Sequence, residues 1–195
     1  MRILITNNKG GQGKTFFSVL LYQYLKEQRI TVRACDLDRK QLNFAQILSK
    51  WAPEEKIIPM FEAIPANALT IIDTGPFNVN SEDEIQIIQE VERVIVPIEV
   101  DASSARGLEQ VAKIRGDKDI MYLATRWDST NPRQQNIPYD DLMSKGYVFT
   151  SRVPRNRIVG YNVDNGITWH KSLPVKAIDA YNDLLNRLTS FEQKN

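Results

Sequence analysis

A run of small and cationic residues near the start of the chain has the composition of a phosphate-binding loop. Residues Asn8 to Thr15 read Asn-Lys-Gly-Gly-Gln-Gly-Lys-Thr and lie between a predicted strand and a predicted helix. In such a loop, backbone amides and the N-terminus of the helix surround phosphate oxygens. Lys14 would contact the β- and γ-phosphates, and the hydroxyl of Thr15 would bind Mg²⁺. The spacing therefore predicts a nucleotide clamp that uses ATP and Mg²⁺.

The same loop carries a second lysine, Lys9, and has an asparagine, Asn8, where the standard pattern begins with glycine. We expect Gly10, Gly11 and Gly13 to give the backbone positive φ angles and a close approach to the phosphates. Lys9 would be crowded if it served its own nucleotide. A lysine that reaches a nucleotide on a second subunit explains it better, and a solvated loop lysine is the alternative that composition leaves open.

Aspartates at the ends of two predicted strands are candidates for the remaining chemistry. Asp36 ends one strand and Asp38 follows it two residues later, and Asp73 ends another strand. Acids at the carboxyl ends of parallel strands, beside a phosphate loop, lie where ligands bind in open α/β sheets. This position predicts functional roles for Asp38 and Asp73. For Asp36 and Asp38, the alternative is that both cap the helix that begins near Gln41.

The elements that must position these residues are read from hydrophobic periodicity. Short apolar runs alternate with segments of helical period, which is typical of βα units that build a mostly parallel twisted sheet with helices on both faces. At 195 residues, one α/β domain of the P-loop NTPase class, spanning residues 1 to 195, is predicted. The predicted strands are Arg2 to Thr6, Thr31 to Asp36, Leu69 to Asp73, Arg93 to Pro97, Ile120 to Thr125 and Tyr147 to Thr150, and the predicted helices are Lys14 to Glu27, Gln41 to Lys50, Glu82 to Val91, Ser103 to Ile114 and Val175 to Phe191.

Composition limits the partners and the compartment. The 25 Lys and Arg residues nearly balance the 24 Asp and Glu residues, so contact with nucleic acid would need a local basic patch. The single cysteine, Cys35, excludes an internal disulfide and is predicted to pack in the core. We see no signal peptide and no run of about 20 apolar residues that could span a bilayer. These features predict a cytoplasmic protein.

The motifs together resemble one family. Lys9 to Thr15 matches in full the altered loop Lys-Gly-Gly-any-Gly-Lys-Thr of the ParA/MinD group of P-loop ATPases, and the resemblance covers most of the chain. Within that group, the chain resembles deviant Walker A partition ATPases of the small plasmid type or the McdA-like type. The other segments that resemble family signatures are Asp36-Leu37-Asp38, the Walker B strand and switch Ile71 to Pro76, Gly107-Leu108-Glu109, and Val153-Pro154-Arg155-Asn156.

The resemblance also implies roles for individual residues. Lys9 would cross a dimer interface to the phosphates bound by the partner, and Gly10 would lie where the two loops approach. Asp38 would orient the attacking water, and Asp73 would hold Mg²⁺ through a water. The implied catalytic residues are Lys9, Lys14 and Asp38; the implied metal-site residues are Thr15, Asp38 and Asp73; and the implied nucleotide-binding residues are Lys9, Gly10, Gly11, Gln12, Gly13, Lys14, Thr15, Phe16, Pro154 and Arg155.

A function follows from the resemblance as an expectation. The ATP-bound homodimer would bind nucleoid DNA without sequence preference, and a ParB-like or McdB-like activator would stimulate Mg²⁺-dependent hydrolysis and so position a plasmid, a chromosome region or a carboxysome. The tail Leu188 to Asn195 has too few cations and too little apolar surface for a membrane anchor, so no membrane contact is predicted. Candidate DNA contacts, with an ordinary solvated surface as the alternative, are Arg152, Arg155, Arg157, Lys171 and Lys176.

Two other functions remain open at this point. One is a MinD-like ATPase that acts on a membrane, and the other is an ATP-dependent ligase of the dethiobiotin synthetase type, a class that usually lacks Lys9-Gly10-Gly11. Two segments also depart from the family pattern. After the second aspartate the family usually continues Asp-Pro-Gln, whereas here Arg39-Lys40-Gln41 follows, and Thr125-Arg126 replaces the asparagine expected at the end of the fifth strand.

Overall fold

The computed structural model describes residues 1–78, 80–99, 104–116, 120–127 and 148–154. Within these ranges, the elements predicted from the sequence are confirmed, with ends that move by up to four residues. A 3₁₀ turn at Phe61–Ala63 was not predicted, and the predicted helix from Val175 to Phe191 lies outside the described residues. The strands are β1 Arg2–Asn7, β2 Val32–Asp36, β3 Leu69–Pro76, β4 Arg93–Glu99, β5 Ile120–Trp127 and β6 Val148–Pro154, and the helices are α1 Lys14–Glu27, α2 Asn43–Trp51, α3 Glu82–Glu90 and α4 Ser104–Arg115.

The six strands form one sheet in the order β2-β3-β1-β4-β5-β6, and every neighbouring pair is parallel. From β1 the chain crosses to the edge strand β2 and returns to β3, which lies between β1 and β2, and it then continues through β4, β5 and β6 on the other side of β1. β1 is therefore the strand at which the direction of building reverses. Open parallel sheets bind ligands beyond the carboxyl ends of the strands at such a switch point, and the glycine loop follows β1 directly.

Both faces of the sheet are covered by helices, as the continuous apolar strands predict. On β1, Ile3 and Ile5 join the core that contains α1 and α2, whereas Leu4 joins the core that contains α3 and α4. The alternation follows from the two-residue period of a strand. This arrangement confirms the fold class expected for a P-loop NTPase.

Helix α1 is buried along most of its length. Its buried run from Phe17 to Leu25 packs between the sheet and α2, and the ring of Tyr22 makes edge contacts with Phe44 and Trp51 at centroid distances of 6.2 Å each. Burying one such side chain contributes about 1.5–3 kcal/mol. The first turn of α1, which borders the glycine loop, is thus attached to a rigid core.

The β2 edge of the sheet is partly covered, and it holds the only cysteine. Ile58 forms a parallel bridge with Cys35, so the outer backbone of β2 is paired. Burial raises the pKa of the Cys35 thiol to about 12, and the side chain is fully enclosed. The predicted core position of Cys35 is confirmed.

Two arginines, Arg2 and Arg115, make ion-pair and hydrogen-bond contacts at the amino ends of the strands. Arg2 pairs with Glu92 at 2.9 Å, and Arg115 donates to the carbonyls of Ile88 and Val91 at the end of α3. A depression of about 200 Å³ lies here, between Arg2 and Phe61. It is at the opposite end of β1 from the glycine loop, so it takes no part in the chemistry predicted above. Among the described residues, no helix combines the length and the apolar character that crossing a bilayer requires.

Candidate functional site

The glycine loop has the backbone geometry of an anion site. Gly11 and Gly13 adopt left-handed φ angles of 73° and 85°, and Gly13 is the N-cap of α1. Because Gly13 carries no side chain, the amides of the first turn of α1 face outward without a side-chain acceptor, as anion binding requires. The expectation of a positive φ at Gly10 is wrong, since only Gly11 and Gly13 in the loop have one. Gly10 instead is exposed, with the Pro76 ring 4.0 Å from the place where its Cβ would be.

Lys14 is the first residue of α1, directly after Gly13, and is only 6% exposed. Its ammonium donates to the carbonyl of Lys9 at 3.1 Å. Burial lowers the pKa of Lys14, and the nearby carboxylates of Asp73 and Asp38 partly oppose this change. A charge held in a poorly solvated place interacts more strongly with a phosphate than it would in water, so this environment suits Lys14 to its predicted role.

Asp73 is fully buried under the loop, between two hydroxyl groups of α1. Thr15 Oγ1 donates to one carboxyl oxygen at 2.7 Å, and Ser18 Oγ lies 2.7 Å from the other. Burial raises the pKa of Asp73 to about 7, although both hydroxyls favour the ionised form. A carboxyl group that is costly to ionise alone is suited to a nearby cation, because the cation would restore the ionised form.

Thr15 and Asp73 fit an Mg²⁺ ion that is bound mainly by phosphate and water. Their oxygens are hard ligands of the kind that Mg²⁺ takes, and they adjoin the loop that would hold the phosphates. Across residues 1–78 and the other described ranges, no group of three or more His, Cys, Asp or Glu side chains could hold an ion without a nucleotide. When bound, the ion would neutralise phosphate charge.

Asp36 has a structural role, because it links the end of β2 to the following loop and to α2. It is 2% exposed, and its two oxygens accept hydrogen bonds from the amides of Asp38, at 3.0 Å, and Ala45, at 2.9 Å. Ala45 is in the first turn of α2, so the helix-capping alternative is confirmed for Asp36. Burial raises its pKa, while the hydrogen bonds that it accepts act in the opposite direction. Asp36 thereby fixes the loop that carries Asp38.

Asp38 is half-buried and binds its own loop instead of α2. Its Oδ1 accepts from the amides of Lys40 and Gln41 at 3.1 and 3.3 Å, before the helix begins. The helix-capping alternative is therefore wrong for Asp38. Its carboxyl group packs on Gly75, where an added Cβ would lie 3.2 Å from Asp38 Oδ1. The loop after β2 and the segment after Asp73 thus meet at this carboxylate, close enough to Lys14 to act on its charge.

The other predicted site residues divide into those that the structure places and those that it does not. In the loop, Gln12 is buried, while Lys9 and Phe16 are half-buried. Pro154 ends β6 opposite Trp127, and Arg152 lies in β6 opposite Ala124. Because all strands are parallel, Pro154 lies at the carboxyl ends of the strands, as the glycine loop does. The candidate residues that lie outside the described residues are Arg155, Arg157, Lys171 and Lys176.

Several residues of the site were not predicted. Ser18 carries the second hydroxyl on Asp73, and its only sequence signal is a polar residue inside the apolar run of α1. Asn7, fully buried, donates from Nδ2 to the carbonyl of Pro97 in β4 at 2.7 Å and accepts from the amide of Lys9 at 2.9 Å. The sequence prediction ended β1 at Thr6 and left Asn7 without a role.

Comparison with known proteins places the chain among nucleotide-binding domains. A family model described as the CobQ/CobB/MinD/ParA nucleotide binding domain matches residues 3–169. No curated protein sequence matches significantly. Among solved structures, the chain is similar to a chain of the MinC:MinD cell division protein complex of Aquifex aeolicus, with a TM-score of 0.77 and 14% identity over 97% of this chain and 96% of that chain.

Two further solved structures have the same fold. The septum site-determining protein MinD of Pyrococcus horikoshii, complexed with Mg-ADP, gives a TM-score of 0.75 and 18% identity over 98% of this chain and 97% of that one. A plasmid partition protein of Borrelia burgdorferi bound to AMPPNP gives 0.69 and 15% identity over 97% and 98%. At these identities, the likeness establishes the fold.

Proposed function

This chain belongs to the CobQ/CobB/MinD/ParA nucleotide-binding domain family, and from the geometry of its phosphate loop we propose that it is a Mg²⁺-dependent ATPase whose dimerisation is controlled by ATP. The observation that carries the proposal is the placement of buried Lys14 beside Asp73 and Asp38 at the start of α1. These are the groups needed to hold a triphosphate, its metal ion and a water. The loop precedes a helix whose first amides face outward.

The chain's own residues divide the reaction between them. The first amides of α1 and the Lys14 ammonium bind phosphate oxygens and stabilise the charge that develops on them. Thr15 and Asp73 supply the protein oxygens of the metal site. Asp38, held by the amides of its loop, accepts a hydrogen bond from the attacking water and orients it. Because Asp38 packs on Gly75, the water that it orients would also lie beside the segment that follows Asp73.

Dimerisation is assigned to Lys9. Its amide is held by Asn7 and its carbonyl by Lys14, so the main chain that carries this side chain is fixed on both sides. A second lysine from the facing subunit would neutralise γ-phosphate charge that one subunit leaves uncompensated. Loss of the γ-phosphate removes that contact, so hydrolysis would separate the subunits. Exposed Gly10 leaves room for the two loops to approach.

The cellular role that we propose is the positioning of a cargo on the nucleoid in the cytoplasm. The dimer would bind double-stranded DNA without sequence preference, and an activator of the ParB or McdB kind would stimulate hydrolysis. Support comes from the family membership; because the chain is nearly neutral, DNA would have to bind to a local basic patch. The cargo would be a plasmid, a chromosome region or a protein compartment.

Size-exclusion chromatography with ATP and with ADP tests the switch. The variants are Asp38→Ala, expected to retain ATP and stay dimeric, and Lys9→Ala, expected to stay monomeric while still binding ATP through Lys14 and the loop amides. Lys56→Ala, an exposed lysine beside the β2 edge, is the matched control. Monomers in all ATP samples would refute the switch, and dimers of Lys9→Ala would refute the role of Lys9.

A second experiment distinguishes binding to DNA from binding to a membrane. The ATP-bound Asp38→Ala protein is applied to a double-stranded DNA column and, in parallel, sedimented with anionic liposomes. We expect retention on DNA that falls steeply with salt, because lysines and arginines that bind phosphates release counterions. Sedimentation with liposomes and no retention on DNA would favour a membrane ATPase, and turnover that depends on a small organic acid would favour a ligase.

A further inference from the structure

Helix α4 contacts the phosphate loop more closely than any side chain would allow. A Cβ atom on Gly107 would lie 2.2 Å from Asn8 Oδ1 and 2.9 Å from Asn7 Oδ1. Neither oxygen could remain in place, because Cβ atoms do not approach neighbours within 3 Å. The side chains of both asparagines at the start of the loop therefore pack directly against Gly107. This contact explains why a glycine stands inside a helix, where glycine costs about 1 kcal/mol of stability relative to alanine.

The second contact comes from the same face of α4, one turn later. Asn8 Nδ2 donates to Gln110 Oε1 at 2.7 Å, across a part-buried interface. Residues three apart lie on one side of a helix, so Gly107 and Gln110 together surround the Asn8 side chain. Asn8 occupies the place where a standard phosphate loop begins with glycine. The Asn8 side chain thus has a hydrogen-bond partner, Gln110, outside the loop.

The residue that follows Asn8 is Lys9. Asn7 holds the Lys9 amide at 2.9 Å, and it is itself anchored on the β4 carbonyl of Pro97. Lys14 holds the Lys9 carbonyl at 3.1 Å. Between these two attachments, the side chain of Asn8 is held by α4 through Gln110. The hydrogen bond from Asn8 to Gln110 therefore adds a third attachment to the backbone that leads into Lys9.

We propose that Gln110 is a positioning residue for the Asn8-Lys9 segment of the phosphate loop: it holds Asn8 against Gly107 and thereby sets the backbone that presents Lys9. Gln110 itself touches no phosphate. The part of the inference that concerns dimerisation rests on the proposed function of Lys9. The part that concerns the loop stands on its own, because it can be measured in the monomer.

Two substitutions of nearly equal length separate the hydrogen bond from packing. Gln110→Glu keeps oxygen acceptors for Asn8 Nδ2, whereas Gln110→Met keeps the length and removes the acceptor. Gln89→Ala, an exposed glutamine of α3, is the control for a surface change. Gly107→Ala provides a second, independent disturbance of the same contact, since its Cβ would displace Asn8.

The first measurement is amide hydrogen exchange of the nucleotide-free protein in the peptide that covers Asn8 to Gly11. We expect exchange at this segment to be about tenfold faster in Gln110→Met, the size of one lost hydrogen bond. Gln110→Glu should retain the wild-type rate, and Gly107→Ala should exchange faster, as Gln110→Met does. Exchange in Gln110→Met equal to that of the wild type would overturn the proposal, as would equal acceleration in Gln110→Glu.

The second measurement compares nucleotide affinity with ATP-dependent association. Gln110→Met should bind ATP within about twofold of the wild type and dimerise about tenfold more weakly, with rescue in Gln110→Glu. Parallel losses of affinity and dimerisation would show that Gln110 merely supports the whole loop, which contradicts the proposal. A wild type that fails to dimerise would refute the proposed function of Lys9, while the exchange data would still decide the role of Gln110.

Discussion

Replacing Asp73 with asparagine is expected to stabilise the nucleotide-free protein at alkaline pH. Asp73 is fully buried, and its pKa is raised from 3.8 to about 7. Its protonated form is favoured in the folded state, so the stability that it contributes is complete below pH 3.8 and is lost as pH rises towards about 7. A difference of about three pKa units corresponds to about 4 kcal/mol, of which more than half is lost between pH 5 and pH 8.

Asparagine has nearly the same shape and needs no ionisation. The hydroxyls of Thr15 and Ser18 can each donate to its oxygen or accept from its amide, so both contacts at 2.7 Å can be kept. We therefore expect Asp73→Asn to gain on the wild type as pH rises, with a difference in unfolding free energy that is about 2 kcal/mol larger at pH 8 than at pH 5. For a chain of this length, that is a shift of roughly 4–8 °C in melting temperature.

The assay is urea denaturation, followed by circular dichroism at pH 5 and pH 8, without Mg²⁺ or nucleotide. Asp83→Asn, an exposed aspartate of α3, is the matched control and should follow the wild type at both pH values. With Mg²⁺ and ATP, the order should reverse, because the ion stabilises the ionised carboxylate that asparagine lacks. A stability difference between Asp73→Asn and the wild type that is the same at both pH values would refute the reasoning.

Three further predictions concern the loop, the core and the proposed DNA-binding surface. Gly13→Ala should lose about 1–2 kcal/mol of stability in thermal melts, and ATP affinity with it, because alanine is strained at a φ of 85°; unchanged ATP binding would argue against the loop geometry. Phe44→Ala should lose about 3–5 kcal/mol in denaturant titrations, because its buried ring packs on Tyr22, and a loss below 1 kcal/mol would contradict that packing. Arg152→Ala should weaken DNA retention and reduce its salt dependence by about one counterion, whereas an unchanged salt slope would remove this residue from the DNA surface.

The fold was largely predictable because its signals are local. Helix α1 has the limits that were predicted, since a glycine-rich loop ends at Gly13 and the apolar run ends before Gln28. The strands are continuous apolar runs, as parallel strands covered on both faces must be. Helix α2 begins two residues later than predicted, because the turn held by Asp38 extends to Leu42, which adopts a left-handed φ of 48°. A leucine at this position does not predict a left-handed conformation, so no signal in the sequence indicated the later start of α2.

The site was predictable only where residues act through a motif. Lys14, Thr15 and the glycines are read from their spacing along the chain. The roles of Ser18, Asn7 and Gln110 depend on partners that are far away in sequence: Asp73 is 55 residues from Ser18, and Gln110 is 102 residues from Asn8. Asp36 and Asp38 show the same limit. They are two residues apart and chemically identical, and only the fold gives one to α2 and the other to the loop.

The seclusion of Cys35 makes this chain convenient for spectroscopy. With a pKa of about 12 and no exposed surface, the thiol is almost entirely unreactive at neutral pH towards maleimides and similar reagents. Since it is the sole cysteine, a new one engineered on the outer side of α3 or α2 would be the only point of dye attachment in the folded protein. Fluorophores installed there could test the proposed association and release of subunits in real time, without first removing a native residue.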